Sequence, residues 1–264
     1  MVLSLCQMET IDAKGAVAMP FDSRNTPTTN AQPMLNVPPV VLGLVAVLIA
    51  VHLLFWVLGP DWQVWSVYAL SFIPVRLGGG PPIPYPEGAQ IWSFFTYALL
   101  HADAVHLGSN SIWLLIFSTP LARRLGAWRY LLLMAGSAAA GALAMLLTHW
   151  GAFLIIVGAS ASVSAALAAA IPVMFAPGFR MGASHLVDYE RLRVPGPIQL
   201  LRNVKALMFA ALFLAMTLFT GATMALTGTA FLEERNIAWE AHLGGFIAGL
   251  ILFYLLDKKP VPRR

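Results

Sequence analysis

Charge is what this chain has least of. Asp, Glu, Lys and Arg make up 11% of its 264 residues, against roughly 25% in soluble domains, and this excludes a water-soluble fold. A mean hydropathy of +0.75 and 59% hydrophobic residues point the same way. Cysteine is almost absent too: Cys6 stands alone, which excludes an intrachain disulfide and a thiolate metal cluster. Leu5 before it is too large for a lipoprotein cleavage site. Neither His101 nor His106 opens an H-E-x-x-H zinc motif, since Ala102 and Leu107 follow them. Residues 1–38 have no long apolar core and are rich in Pro, Thr and Asn, so they read as a flexible tail and not as a secretory signal. Repeats and heptads are also missing.

What remains is long apolar sequence. No charge falls between Arg24 and Asp61, Asp103 and Arg123, Arg129 and Arg180, or Lys205 and Glu233, nor after Glu240 until Asp257. A membrane-crossing helix needs about 20 apolar residues, which predicts six spans near 39–59, 105–122, 128–149, 160–177, 204–227 and 238–256. The third and fourth share one charge gap, broken around Gly151 and Gly158. The fold class expected is therefore an all-α polytopic membrane protein: a six-helix domain over 39–256, the tail 1–38 before it and a basic tail 257–264 after it. The spans are expected to hold no Asp or Glu, which leaves an aspartyl dyad or a carboxylate proton relay without residues.

Lys and Arg orient this layout, because they prefer the cytoplasmic side. One side collects fourteen of them, from Lys14 and Arg24 through Arg123, Arg124 and Arg129 to Arg263 and Arg264; the other has only Arg76 and Arg235. Both termini are expected in the cytoplasm, and the net charge of +4 reflects membrane topology and not nucleic-acid binding. On the external side, residues 60–100 carry Trp62, Trp65 and Trp92 and the Gly/Pro run from Leu77 to Pro86. That segment is expected to be an irregular loop set partly into the headgroup layer. The loop 178–205 reads as an ordinary solvated segment, and its Gly182-Ala183-Ser184-His185 only mimics a catalytic motif.

Polar side chains in such sequence are costly without a function or a partner. Ser160 follows Gly158-Ala159 and opens the fourth span, where unsatisfied N–H groups and the helix dipole favour developing negative charge. The fragment alone also fits a plain N-cap serine, or one of the small residues that let membrane helices pack closely. His242 opens the sixth span at the same depth, with Gly245 and Gly249 on following turns allowing close approach to a neighbouring helix. His106 and Asn110, four apart, share a face at the external end of the second span, where they can donate to an oxyanion. They equally fit structural contacts between helices. His101 is placed to brace the loop, and His149 has no evident partner. With no carboxylate available, Ser and His are the best chemical pair.

Taken together, His101-x4-His106-x3-Asn110, Gly158-Ala159-Ser160 and Ala241-His242-x2-Gly245-x3-Gly249, on spans two, four and six, resemble the rhomboid family of intramembrane serine proteases. The resemblance covers about 39–256 and implies a prokaryotic six-helix type without cofactor or metal. It implies Ser160 as nucleophile and His242 as general base, then acid. His106, Asn110 and the Ser160 amide would form the oxyanion hole, Gly158 would permit the approach to the nucleophile, and Gly245 and Gly249 would pack span six on span four. The implied partners are transmembrane segments of single-pass membrane proteins, entering from the bilayer between spans two and five. The implied place is the bacterial inner membrane with the site facing outward. Three departures stand out. Ala161 replaces a usual Gly and adds a methyl beside the oxyanion site; Ser164 stands where some relatives stack an aromatic on the base; and the Gly and Glu common near the end of span two are replaced around Ser118 to Arg124. The alternative from another class is a catalytically inactive rhomboid-like protein that binds membrane helices.

Overall fold

The computed structural model describes residues 36–79, 83, 86–180, 187–189, 191–227 and 238–257, and of 217–227 the backbone. The tail 1–35, Cys6 within it, the Gly182–His185 tetrapeptide and the basic residues after Asp257 lie outside the described residues. Within them the fold is helical: α1 (Pro39–Leu58), α2 (Pro60–Leu70), α3 (Ala89–Thr96), α4 (Ala104–Leu125), α5 (Ala127–Thr148), α6 (Ser160–Met174), α7 (Pro197–Leu201), α8 (Val204–Thr227) and α9 (Trp239–Leu256). No strand is present among these residues, only one antiparallel bridge between Phe72 and Ile156. By length and composition α1, α5 and α9 can each cross a membrane, while α6 and the fully described part of α8 are apolar but shorter.

The centre of the bundle is α6. Residues Ala161 to Val173 are all buried, and most of the first eleven are Ala or Ser. A helix this thin admits neighbours on every side: α9 most extensively, then α4, α5 and α8, with α1 against α4. Gly245 and Gly249 of α9 face it so closely that a β-carbon on either would overlap the backbone of Ala161 or Ala165. Without hydrophobic driving force between helices in lipid, such dispersion contact between small residues is what holds a membrane bundle together.

The segment 60–100 departs from expectation in its flanks, where α2, α3 and two short 3-10 turns, Pro74–Arg76 and Tyr97–Leu99, are found; of the Gly/Pro run between them, residues 80–82, 84 and 85 lie outside the described residues. Here Pro and Gly mark helix boundaries: Pro60 takes the first position of α2, where its missing N–H costs nothing, and Gly88, with φ of 89°, precedes α3. Trp92 Nε1 donates to the Ala69 carbonyl at 2.8 Å and Thr96 Oγ1 to that of Leu70 at 2.7 Å, docking α3 on the end of α2.

Candidate active site

The approach to Ser160 is strapped down by backbone bonds. Phe72 and Ile156 exchange N–H···O contacts of 3.1 and 3.0 Å, Val75 N–H donates to the Ala152 carbonyl at 2.9 Å, and Gly158 N–H donates to that of Tyr97 at 3.0 Å. Tyr97 is itself fixed through its phenol, which donates to the Ala138 carbonyl at 2.9 Å. Gly158 sits at φ 115°, a conformation closed to other residues, and a β-carbon there would lie 2.6 Å from both Cε1 and Nε2 of His106 and 3.7 Å from Asn110 Nδ2. The imidazole of His106 therefore rests on the α-carbon of Gly158. Two residues later Ser160, partly exposed, takes the first position of α6.

His106 and Asn110 are held by α4, whose start is set by Asp103: its carboxylate accepts from the His106 backbone N–H at 2.8 Å. This is an N-cap that the spacing Asp103-x2-His106 already displays. Asn110 is buried, and its Nδ2 finds no acceptor among the described residues. His101 is buried beside them, its ring edge-on to His106 with centroids 5.1 Å apart. Its Nε2 faces the Ala159 N–H at 3.5 Å. Burial, with the neighbouring His106 as a second cause, pushes the His101 imidazole down to about 4, so at neutral pH it is uncharged and free to accept that bond.

His242 is the fourth residue of α9 and close enough to His106 to interact electrostatically. Its helix is located by Gly245 and Gly249 against α6. Ser164 donates from its hydroxyl to the Ser160 carbonyl at 2.8 Å, one turn back, and does not reach out toward the base. The methyl of Ala161 turns away from the cluster: it lies where a β-carbon on Gly141 of α5 would stand, so α5 leaves a notch for it.

One expectation is corrected here. Glu240 is the second residue of α9, so a carboxylate does lie within a long apolar helix. It occupies the first turn, where the helix dipole favours an anion, and its Oε1 is 3.8 Å from His149 Nε2 at the end of α5. His149, read from sequence as lacking a partner, has Glu240 and also Thr148, whose hydroxyl is 2.9 Å from its Nδ1. Sequence reasoning also passed over Tyr97, Asp103 and Gly141. Of these only Asp103 had a local signal. Among the described residues no group of His, Cys, Asp and Glu is placed to hold a metal ion.

Residues 88–259, well over half the chain, match the Rhomboid domain. The chain belongs to the rhomboid family. It is similar to Rhomboid protease GlpG of Serratia proteamaculans (strain 568), with 30% identity over 100 residues, 38% of this chain and 32% of that protein. The aligned stretch is thus about a third of that relative's length. At the level of its family this is an integral membrane protein of a protease lineage. The rhomboid match takes in α3 to α9 and every residue of the polar cluster.

Proposed function

We propose that this rhomboid is an active intramembrane serine endopeptidase with Ser160 as nucleophile and His242 as its base. The observation that carries the reading is the close approach of the His106 imidazole to Gly158, two residues before Ser160, next to a buried Asn110 whose Nδ2 finds no acceptor among the described residues. Donors gathered around the start of a helix, where N–H groups are free, suit a developing oxyanion. The 15 residues of α6 span about 22 Å, short of the roughly 30 Å hydrocarbon core. In this reading the shortfall falls at the start of the helix and sets Ser160 below the membrane surface.

In this reading Ser160 Oγ attacks the carbonyl carbon of a peptide bond while His242 takes its proton. The oxyanion accepts from His106, Asn110 and the Ser160 N–H. Collapse of the tetrahedral intermediate breaks the C–N bond, and His242 returns the proton to the leaving amine. Water, deprotonated by His242, then hydrolyses the acyl-enzyme. Substrates are transmembrane segments of single-pass proteins that pass between α4 and α8 from the lipid. The support for that route comes from the part of α8 whose side chains are described, 204–216: aromatic contacts, Phe117–Phe209 at 6.4 Å, Phe175–Phe209 at 6.0 Å and Phe213–Phe246 at 5.8 Å, join it to its neighbours, while Leu207, Met208 and Leu212 stay exposed. The asymmetry of Lys and Arg supports cytoplasmic termini and an outward-facing site in a bacterial inner membrane.

The test is labelling of the purified, detergent-solubilised protein by a fluorophosphonate, which needs no known substrate. Labelling lost in both Ser160→Ala and His242→Ala is the expected result. A folded wild-type protein that takes no label, or a Ser160→Ala variant that still cleaves a membrane substrate, sinks the proposal, and the former favours an inactive helix-binding protein.

A further inference from the structure

At the end of the bundle opposite Ser160, one arginine is buried and almost fully used. Arg124, in the last turn of α4, is 4% exposed. Its Nε and Nη2 each donate to one oxygen of Asp257 at 3.0 Å, a bidentate pair. Its Nη1 donates to the carbonyls of Tyr189 at 2.6 Å and Leu192 at 3.1 Å. Asp257 is the C-cap of α9. One turn earlier, Tyr254 donates from its phenol to the Pro195 carbonyl at 2.9 Å, and Arg123 lies over the Tyr189 ring at 5.7 Å. A single guanidinium therefore joins the ends of α4 and α9 to the connection that leads through α7 into α8.

This matters because α4 and α9 hardly touch each other elsewhere; each packs along α6. Yet α4 carries His106 and Asn110, and α9 carries His242. Gly245 and Gly249 seat α9 on α6, and α9 packs along α5 as well, but these contacts act on α4 only through a third helix. A planar fork that fits a carboxylate in one geometry supplies a direct register between the two. His106 lies eighteen residues before Arg124 and His242 fifteen before Asp257, or about 27 and 22 Å along their axes. Small rotations at the fork are thus large displacements at the cluster.

We infer that Arg124 and Asp257 form a positioning pair that sets α4 against α9, and through them the oxyanion donors against the base. The pair touches no substrate; it acts through the two helices. The catalytic half of this inference rests on the serine-protease reading above, whereas the register of the helices does not.

Two readouts separate the possibilities. With Cys6→Ser as background, nitroxide labels at Val105→Cys on α4 and Ile247→Cys on α9, both exposed positions, report the inter-helix distance by pulsed electron resonance. Fluorophosphonate labelling gives an amplitude, which counts competent sites, and a rate constant per competent site. In Arg124→Gln and Asp257→Asn the distance distribution broadens and the rate constant falls about tenfold, as expected for a misplacement well under 1 Å. Asp257→Glu keeps the carboxylate and the narrow distribution, and the double variant is no worse than either single one. A purely structural pair would lower the melting temperature and the amplitude while leaving distribution and rate constant unchanged, and that result overturns the inference. If Arg124→Gln does not fold, the comparison of Asp257→Asn with Asp257→Glu decides it alone. Broadening in a wild-type background that takes no label would leave the positioning of helices standing and overturn the protease reading.

Discussion

The two ends of the bundle solve the same problem by opposite means. Around Ser160 the polar groups are held by shape: His106 rests on a glycine, α9 is seated by Gly245 and Gly249, and Asn110 Nδ2 has no acceptor among the described residues. Around Arg124 they are held by charge, with bidentate contacts and two carbonyls on one guanidinium. Groups that must bind a transient oxyanion or accept a proton cannot have their hydrogen-bonding capacity consumed by the scaffold. In the proposed reading packing has to place them, and the bidentate ion pair of Arg124 and Asp257 lies at the other end of the bundle.

If packing places the site, the largest effect comes from filling the α6–α9 seam. In Gly249→Val the new β-carbon meets the Cα, oxygen and Cβ of Ala165, two of them backbone atoms that cannot yield. Overpacking of this kind costs about 3 kcal/mol or more. The expected outcome is a protein that unfolds well below the wild-type temperature in detergent and takes no fluorophosphonate. A variant that melts normally and labels normally would show that the seam does not seat α9.

Next comes the unpartnered amide. Asn110→Ala removes a donor without leaving a hydrogen bond broken in the resting protein, so stability should hold while labelling slows about 100-fold, the usual effect of one oxyanion donor. Equal losses of stability and labelling would make Asn110 a structural residue and weaken the contrast between the two ends.

The Ala161 notch gives a smaller effect. Ala161→Gly should change the labelling rate by no more than about twofold, because its methyl faces α5 and not the oxyanion; overpacking makes Gly141→Ala cost about 1–3 kcal/mol. Combining the two removes one of the three contacts of the new methyl and leaves Tyr97 Oη at 2.9 Å and the Ala241 carbonyl at 3.0 Å. Partial recovery of the melting temperature is expected. A large gain in labelling from Ala161→Gly alone would mean that the methyl does crowd the site.

What the sequence disclosed and what it hid follow the range of the interactions. Charge-free stretches have to be helical in lipid, because every backbone group must be satisfied internally, so the all-helical membrane fold was legible. The three polar fragments were legible because polar residues are rare there, and together they pointed to the rhomboid family. The helices of 60–100 were not, because the Gly/Pro run from Leu77 to Pro86 lies between α2 and α3 and argues against helix only there. Gly141, Tyr97 and the Arg124–Asp257 fork were hidden for a different reason: their partners are remote in sequence, and nothing local tells a packing glycine from any other, or a buried arginine from those that orient the chain. Glu240 was in plain view inside the predicted span 238–256, but the charge gap that defined that span starts only after it.

The smallest effect concerns His101, which belongs to the shape-held end. Its folded imidazole is pushed down to about 4, from an ordinary value near 6.5, chiefly by burial. Above pH 6.5 it is neutral in both folded and unfolded protein and contributes nothing to pH dependence. As pH falls from 6.5 toward 4 only the unfolded state takes up the proton, so stability declines across that window and levels off below it. In detergent, where the unfolded chain keeps much of its helix, the effect should be on the order of 1 kcal/mol. His101→Gln, which retains an acceptor for the Ala159 N–H, should melt with a shallower pH dependence between 6.5 and 4 than the wild type. Parallel melting curves for the two proteins would place a proton on His101 in the folded state, and with it a positive charge beside His106 and near the Asp103 carboxylate.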